Sequence, residues 1–294
     1  MSKITKLDGK TLSTEILSTQ HINNKFKRPP TLDIITIGED PASRVYVANK
    51  LRACEKCGIN VIHTVFDSDT TKTKLANYIW ELNTSDDIDG IIIQQPVPTH
   101  LKGVEQLVKP TKDVDGFTRY NLGNTLTNKD SGITACTPKG IMTLLHMYGI
   151  DLTGKHVTVI GRSEIVGKPL IGLLLKQNAT VTSCNSYTKN LKEILSISDI
   201  IISAIGKLKY ITREFLTPRT HVIIDVGINR DENNKLCGDC DYADIVDYWT
   251  SLDDKEERFI TPVPGGVGPM TVATLIQNVN IAYNDHMVNK MLGV

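Results

Sequence analysis

Short apolar runs of strand length recur along this chain, and they constrain its fold more than any other feature. The first half carries TLDIITIG (31–38), NVIHTVF (60–66) and DGIIIQQP (89–96). The second carries HVTVIG (156–161), ATVTSC (179–184), DIIISAIG (199–206) and HVIIDVGI (221–228). Each run is rich in β-branched residues, nearly continuous in hydrophobicity and bounded by turn residues. Helical patterns lie between them. Buried parallel strands joined by crossover helices have this character. The pattern predicts an α/β protein of two α/β domains. The C-terminal one is a Rossmann-like doubly wound parallel sheet, and an active-site cleft is expected between the two.

A length of 294 residues suits two domains. The boundary is expected near CTPKGIMTLLHMYG (136–149), a helix with a threonine cap, a proline in its first turn and a glycine at its end. Residues 1–139 then form an N-terminal substrate and catalytic domain, and residues 140–268 a nucleotide domain. The segment GPMTVATLIQNVNIAYNDHM (268–287) reads as a strong helix. With its flanks, as 269–294, it is expected to rejoin the first domain.

Several function classes are excluded early. Thirty-three basic and 33 acidic residues cancel, so no electrostatic footprint for nucleic acid or an anionic membrane is expected. No apolar run approaches the ~18 residues that span a bilayer. The start, MSKITKLDGK, is polar and lacks both the apolar core of a signal peptide and an Arg-rich leader. Six cysteines in a chain this long read as free thiols in a reducing, cytoplasmic setting.

The strand HVTVIG runs straight into GRSEIVGKPLIGLLLKQ. Gly161 and Gly167 bracket a turn in which Ser163 occupies the place of the usual second glycine. A tight strand-to-helix turn aims backbone N–H groups and a helix N-terminus at a pyrophosphate. A plain βα turn is the alternative. The next strand sharpens the cofactor. NAD sites carry an acidic residue about 20 residues on, whereas TVTSCNSYT (180–188) has none. Arg162, Ser186 and Asn185 offer a cation, a hydroxyl and an amide, a set that suits a 2′-phosphate and therefore NADP.

In VYVANKLRACEKCG (45–58), helical spacing puts Tyr46, Val47, Lys50, Leu51, Ala53, Cys54 and Cys57 on one arc. Asp40-Pro41 supplies a cap and a first-turn proline. Lys50 lies mid-arc. A lysine stripped of water is available for proton transfer; a lysine whose stem packs while its amine escapes to water is the alternative. Gln94 and Gln95 end an apolar strand, where open α/β sheets bind ligands. The loop PTKDVDGF (110–117) adds Asp113 and Asp115. Its D-x-D-G spacing is not a calcium loop, because Asn124 stands where the twelfth-position glutamate belongs. Asp113 can equally be a turn cap. The pairs Cys54/Cys57 and Cys237/Cys240 could in principle bind zinc. They lie in opposite halves, and the first sits on the apolar arc, so packing is the preferred reading and no metal is expected.

These residues carry a resemblance over essentially the whole chain. SRVYVANK (43–50), GIIIQQPVP (90–98), PTKDVDGF, CTPKG (136–140), GRSEIVGKPL (161–170), IDVGIN (224–229) and TPVPGGVGPMT (261–271) occur in order. In this the chain resembles the bifunctional methylenetetrahydrofolate dehydrogenase/methenyltetrahydrofolate cyclohydrolase enzymes. The resemblance implies a homodimer acting on a tetrahydrofolate-derived small molecule with NADP. It implies that Lys50, Gln94, Asp115 and Tyr46 are catalytic, and that Ile93, Gln95 and the loop Pro264, Gly265, Gly266, Val267 and Gly268 join them around the substrate. Gly161, Arg162, Ser163, Ser186, Ile228 and Thr137 are implied at the cofactor. Asn185 stands where the family usually has histidine, and Cys240 replaces a usual aliphatic residue. The charged segment DYWTSLDDKEERF (247–259) is expected to be a surface excursion.

Overall fold

The computed structural model describes the chain except residues 1–2, 21–25, 27, 39–40, 128–131 and 294, with the backbone alone at 41–43. The Asp40 cap expected for the lysine-bearing helix therefore lies outside the described residues. In chain order the elements begin β1 (Lys3–Lys6), α1 (Gly9–Thr19), β2 (Thr31–Ile37), α2 (Pro41–Lys56), β3 (Asn60–Phe66), α3 (Lys72–Thr84) and β4 (Gly90–Ile93). Next come α4 (Arg119–Leu126), α5 (Cys136–Met147), β5 (His156–Ile160), α6 (Gly167–Lys176), β6 (Thr180–Cys184), α7 (Leu191–Ser196) and β7 (Ile200–Ser203). The chain closes with β8 (Val222–Asp225), β9 (Asn229–Arg230), β10 (Leu236–Cys237), α8 (Tyr242–Ser251), β11 (Glu257–Ile260) and α9 (Val267–Leu292).

Two compact units result: unit 1 is Met1–Ser13 with Thr137–Thr271, and unit 2 is Thr14–Cys136 with Val272–Val294. Unit 2 holds a parallel three-stranded sheet in the order β3-β2-β4. Its strands alternate faces with the period of two that strand geometry dictates. Leu32, Ile34 and Ile92 pack with Val47 and Cys54 of α2, with Cys57 just past its end, and with Leu275, Ile276, Val279 and Ala282 of α9. Ile35, Ile37, Ile91 and Ile93 face the other way, against Leu75 and Ile79 of α3. Cys54 and Cys57 are both buried free thiols, and burial pushes the Cys54 thiol up to about 12. They fill the core as small hydrophobes.

Unit 1 holds a six-stranded sheet, parallel throughout, in the order β1-β11-β8-β7-β5-β6. The doubly wound reversal falls at β5, with β6 on one side and β7 on the other. The sequence pattern assigns the first 13 residues to the N-terminal domain, but they belong to unit 1, because β1 pairs in register with β11 from Lys3↔Glu257 to Lys6↔Ile260. The expected surface excursion at 247–259 is also corrected. Trp249 and Arg258 are fully buried, Trp249 within the unit 1 core, and 257–260 form β11 inside the sheet. Arg258 tolerates burial because Asp254 takes both its terminal nitrogens, at 2.8 and 2.7 Å.

One buried group works against its surroundings. Asp33, in the middle strand of unit 2, is fully buried. Its Oδ2 accepts from the Tyr78 hydroxyl at 2.7 Å and the Thr64 hydroxyl at 3.3 Å, while Oδ1 has no hydrogen-bond partner. Burial raises its carboxyl above the ordinary 3.8, against the pull of those two hydroxyls. A raised carboxyl stabilises the fold when protonated, and that contribution is lost as pH rises through the folded-state value. The Thr64 and Tyr78 hydroxyls lie 2.8 Å apart, so without the carboxylate one can donate to the other and each keeps a partner. Asp33→Val is therefore expected to raise stability at pH 7.5 by about 1 kcal/mol. Urea unfolding at pH 4.5 and 7.5 checks this. The gain must be larger at pH 7.5, and an equal or reversed difference would refute the assignment.

Candidate active site

In unit 2, α2, the end of β4 and the loop at 113–116 bring together three of the side chains expected at the site. Lys50 lies four residues after Tyr46 on α2, one turn along the same face. It is 8% exposed, so its amine does not escape to water as a snorkelling lysine would. Its Nζ donates to Gln94 Oε1 at 3.1 Å and lies 3.9 Å from Asp115 Oδ2. Gln94 follows β4 directly. Its main-chain N–H continues the ladder to the Ile35 carbonyl, and its side-chain amide donates to the Gln95 carbonyl at 2.8 Å. The amide is thus clamped from both ends with its oxygen turned to the lysine.

Asp115 is buried. Burial raises its carboxyl above the ordinary range, Lys50 pulls it back down, and Asp113 adds to the rise. Asp113 itself is the turn cap. Its two oxygens accept from the N–H groups of Gly116, Phe117 and Thr118 and from the Asn121 amide. Sequence reasoning missed the support behind this loop. Asn278 of α9 donates to the carbonyls of Val114 and Thr134 at 3.0 and 2.9 Å, and the Cys136 thiol donates to Val114 O at 3.3 Å. A polar residue inside the apolar stripe of α9 was the available signal. Ile93 packs its side chain into the α3-side core, leaving only its main chain for a ligand, whereas Gln95 is half-buried beside Gln94.

In unit 1 the strand-turn-helix expected for phosphate binding is present between β5 and α6. Gly161 has φ +123°, and a Cβ there would sit 2.4 Å from the Ala204 carbonyl oxygen. Only glycine fits. Ser163 Oγ accepts from the N–H groups of Val166 and Gly167 at the start of α6. Beyond β6, the Asn185 side chain accepts from Tyr187 N at 2.9 Å and its N–H donates to the Thr188 hydroxyl at 2.8 Å. This closes a tight turn with Ser186 exposed on it. The Arg162 guanidinium lies 5.8 Å from the centre of the Tyr187 ring. A cation, a hydroxyl and an aromatic face thus gather where an NAD site would place a carboxylate. The residues fit a 2′-phosphorylated dinucleotide.

Ile228 is exposed after β8. Thr137 is not a cap, since α5 begins at Cys136; its hydroxyl bonds the Thr271 hydroxyl at 3.1 Å. The loop from Pro264 to Gly268 is in unit 1, with Pro264 exposed, Val267 buried, and the Gly265 carbonyl accepting from Lys10 N. Among the described residues, no group of three or more His, Cys, Asp or Glu could hold a metal ion.

A doubly wound dinucleotide-type sheet in one unit and a buried lysine–amide–carboxylate cluster in the other define a two-unit α/β enzyme. Residues 7–115 match the catalytic domain of the tetrahydrofolate dehydrogenase/cyclohydrolase family, and residues 135–287 match its NAD(P)-binding domain. The chain belongs to this family. Among its curated relatives, the bifunctional protein FolD of Lachnoclostridium phytofermentans is 47% identical over 279 residues, covering 92% of this chain and 95% of that protein. The solved bifunctional FolD dehydrogenase/cyclohydrolase of Campylobacter jejuni is 38% identical with a TM-score of 0.89, covering 96% of this chain and 99% of that one. The Trypanosoma brucei methylenetetrahydrofolate dehydrogenase-cyclohydrolase, solved with NADP and an inhibitor, is 29% identical with a TM-score of 0.88, covering 98% and 99%.

Proposed function

We propose that this chain oxidises methylenetetrahydrofolate to methenyltetrahydrofolate with NADP and then hydrolyses the product to formyltetrahydrofolate. The Lys50–Gln94–Asp115 cluster carries the proposal, because the family's hydrolytic step needs a positioned proton carrier. NADP, when bound, supplies a nicotinamide ring that accepts a hydride equivalent from the substrate methylene carbon. Arg162, Ser186 and the 161–167 turn would hold it, with Ile228 and Thr137 further contacts. What that oxidation asks of the protein is chiefly positioning.

Asp115 is suited to pair its two oxygens with the amino-pyrimidine edge of the pterin, as a carboxylate pairs with guanidinium. Tyr46 offers a ring face and a hydroxyl one turn from Lys50. Gln95, the main chain at Ile93 and the loop Pro264–Gly268 complete the proposed substrate contacts. In the hydrolytic step water adds to the methenyl carbon and sheds a proton, one C–N bond breaks, and the freed nitrogen takes a proton up. Lys50 is the group that carries these protons, and Gln94 fixes the direction of its amine. Unit 2, residues 14–136 with 272–294, is read as the folate side, and unit 1, residues 1–13 with 137–271, as the NADP side.

We also infer a homodimer in the cytoplasm, acting on a small molecule and not on nucleic acid. The balanced charge and the six free cysteines support this reading, as does the family resemblance. No helix among the described residues is long and apolar enough to cross a membrane. The deciding experiment is a paired assay on purified protein. Methylenetetrahydrofolate oxidation is followed by absorbance with NADP and with NAD, and methenyltetrahydrofolate hydrolysis is followed without either. Both activities are expected, with NADP preferred. Oxidation without hydrolysis would leave a dehydrogenase alone, and neither activity would leave a dinucleotide-binding protein on an enzyme's fold.

A further inference from the structure

Asp239 is fully buried in unit 1, and the functional reading gives it no role. Its carboxylate is nonetheless heavily used. Oδ2 accepts from Ile205 N at 2.8 Å, Gly206 N at 3.2 Å and the Ser203 hydroxyl at 3.1 Å. Oδ1 accepts from Lys207 N at 2.8 Å and the Asn229 amide at 3.0 Å. Three successive main-chain N–H groups thus converge on one anion, as they do in a phosphate-binding nest. Here the anion is part of the chain.

The loop held in this way leaves the carboxyl end of β7. Strands β5 and β7 are neighbours, and the winding of the sheet reverses between them. That is where a doubly wound sheet opens its ligand crevice. The two sides are in close contact there, since a Cβ on Gly161 would meet the Ala204 carbonyl oxygen. A shift of the 204–207 loop therefore displaces one wall of the crevice against the phosphate-binding turn.

Asp239 is itself fixed from below. Its N–H donates to Asp225 Oδ1 at 2.9 Å, and Cys240 N donates to Asp225 Oδ2 at 2.8 Å. Two glycines make room for the pair. A Cβ on Gly227 would fall 2.0 Å from Asp239 Oδ1, and one on Gly238 would fall 1.8 Å from Asp225 Oδ2. Gly227 directly precedes Ile228, so the same carboxylate also borders a proposed cofactor contact. Burying a charge is costly unless it is fully bonded, and an apolar plug would brace the sheet at less cost. What an apolar plug cannot do is hold three N–H groups of a crevice wall in one conformation.

We propose that Asp239 is a positioning residue of the dinucleotide site, holding the 204–207 wall in the conformation that binds NADP. The inference rests on the reading of unit 1 as the NADP side. The test uses the full chain carrying Asp239→Asn, which keeps the size but turns one oxygen into a donor facing donors. The expected result is an NADP KM raised about tenfold or more, one to three kcal/mol of lost donor pairing being worth about that. NADP-independent hydrolysis of methenyltetrahydrofolate stays within about twofold. Asn229→Ala, which removes one of the five donors, is expected to raise the NADP KM by a few-fold and serves if Asp239→Asn does not fold. An unchanged NADP KM in the folded variants overturns the proposal, and so does a parallel loss of both activities at constant KM. If the unsubstituted chain fails to use NADP, the reading of unit 1 falls and the inference with it; an active parent with unaffected variants removes the inference alone.

Discussion

Lys50→Met is expected to lower methenyltetrahydrofolate hydrolysis by about 10²–10⁴-fold, the usual contribution of a positioned proton-transfer group, while the protein still folds. Methionine is unbranched, apolar and similar in length, and it enters a helix face already lined by Val47, Ala53 and Cys54. The variant also removes the cation 3.9 Å from Asp115. Lys50 favours the Asp115 carboxylate against its burial. Without Lys50, Asp115 holds its proton to higher pH, and the carboxylate proposed to pair with the pterin forms only further up the scale. The folate KM of the dehydrogenase reaction should therefore rise on the acid side first, and its acid limb should move upward in pH. Hydrolysis at the parental rate in a folded Lys50→Met protein would end the assignment of Lys50. A circular dichroism spectrum and a melting curve establish that the fold is intact.

Asp89→Ala is expected to destabilise unit 2 by about 3 kcal/mol. The Asp89 side chain is fully buried, with four donors on its two oxygens. Arg28 binds both, at 2.6 and 2.9 Å. Thr31 N donates at the head of β2 and His286 of α9 contacts Oδ1, each at 2.8 Å. The Arg28 side chain is 25% exposed, so part of its charge can be rehydrated, which places the loss at the low end of the range for broken buried pairs. The Tyr283 hydroxyl donates to the Arg28 carbonyl beside the same site. Loss of Asp89 thus loosens α9 along with the start of β2. Urea unfolding gives the size of the effect, and amide exchange across 280–290 gives its location. A loss below 1 kcal/mol would show that Arg28 finds water or another acceptor readily.

Much of this was legible in the chain because its signals were local. The central strands are apolar and β-branched on both faces, and a buried parallel strand has little freedom to look otherwise. Lys50 stood out because its neighbours on the helix face are apolar. Strands β1 and β11 escaped detection for the opposite reason. KITK and ERFI are four residues each, with polar side chains that carry no strand period. β1 joins the sheet only through β11, and β11 through β1 and β8, and pairing between residues as distant as Lys3 and Glu257 leaves no local trace. Trp249 was hidden likewise among charged residues of a helix whose other face is solvated. Asp239 followed a glycine in an unremarkable turn; its five donors come from two separate stretches, 203–207 and Asn229, that only the fold brings to it.

The two units are not consecutive lengths of chain, and this bears on their birth at the ribosome. Unit 2 draws its core from residues 32–136 and again from Leu275, Ile276, Val279 and Ala282. Domains commonly fold in the order in which they are made, but this N-terminal unit cannot. Its sheet emerges early and waits, with the α2 side uncovered, while the whole of 137–271 is translated. The helix that closes this early sheet leaves the exit tunnel only after all of 137–271.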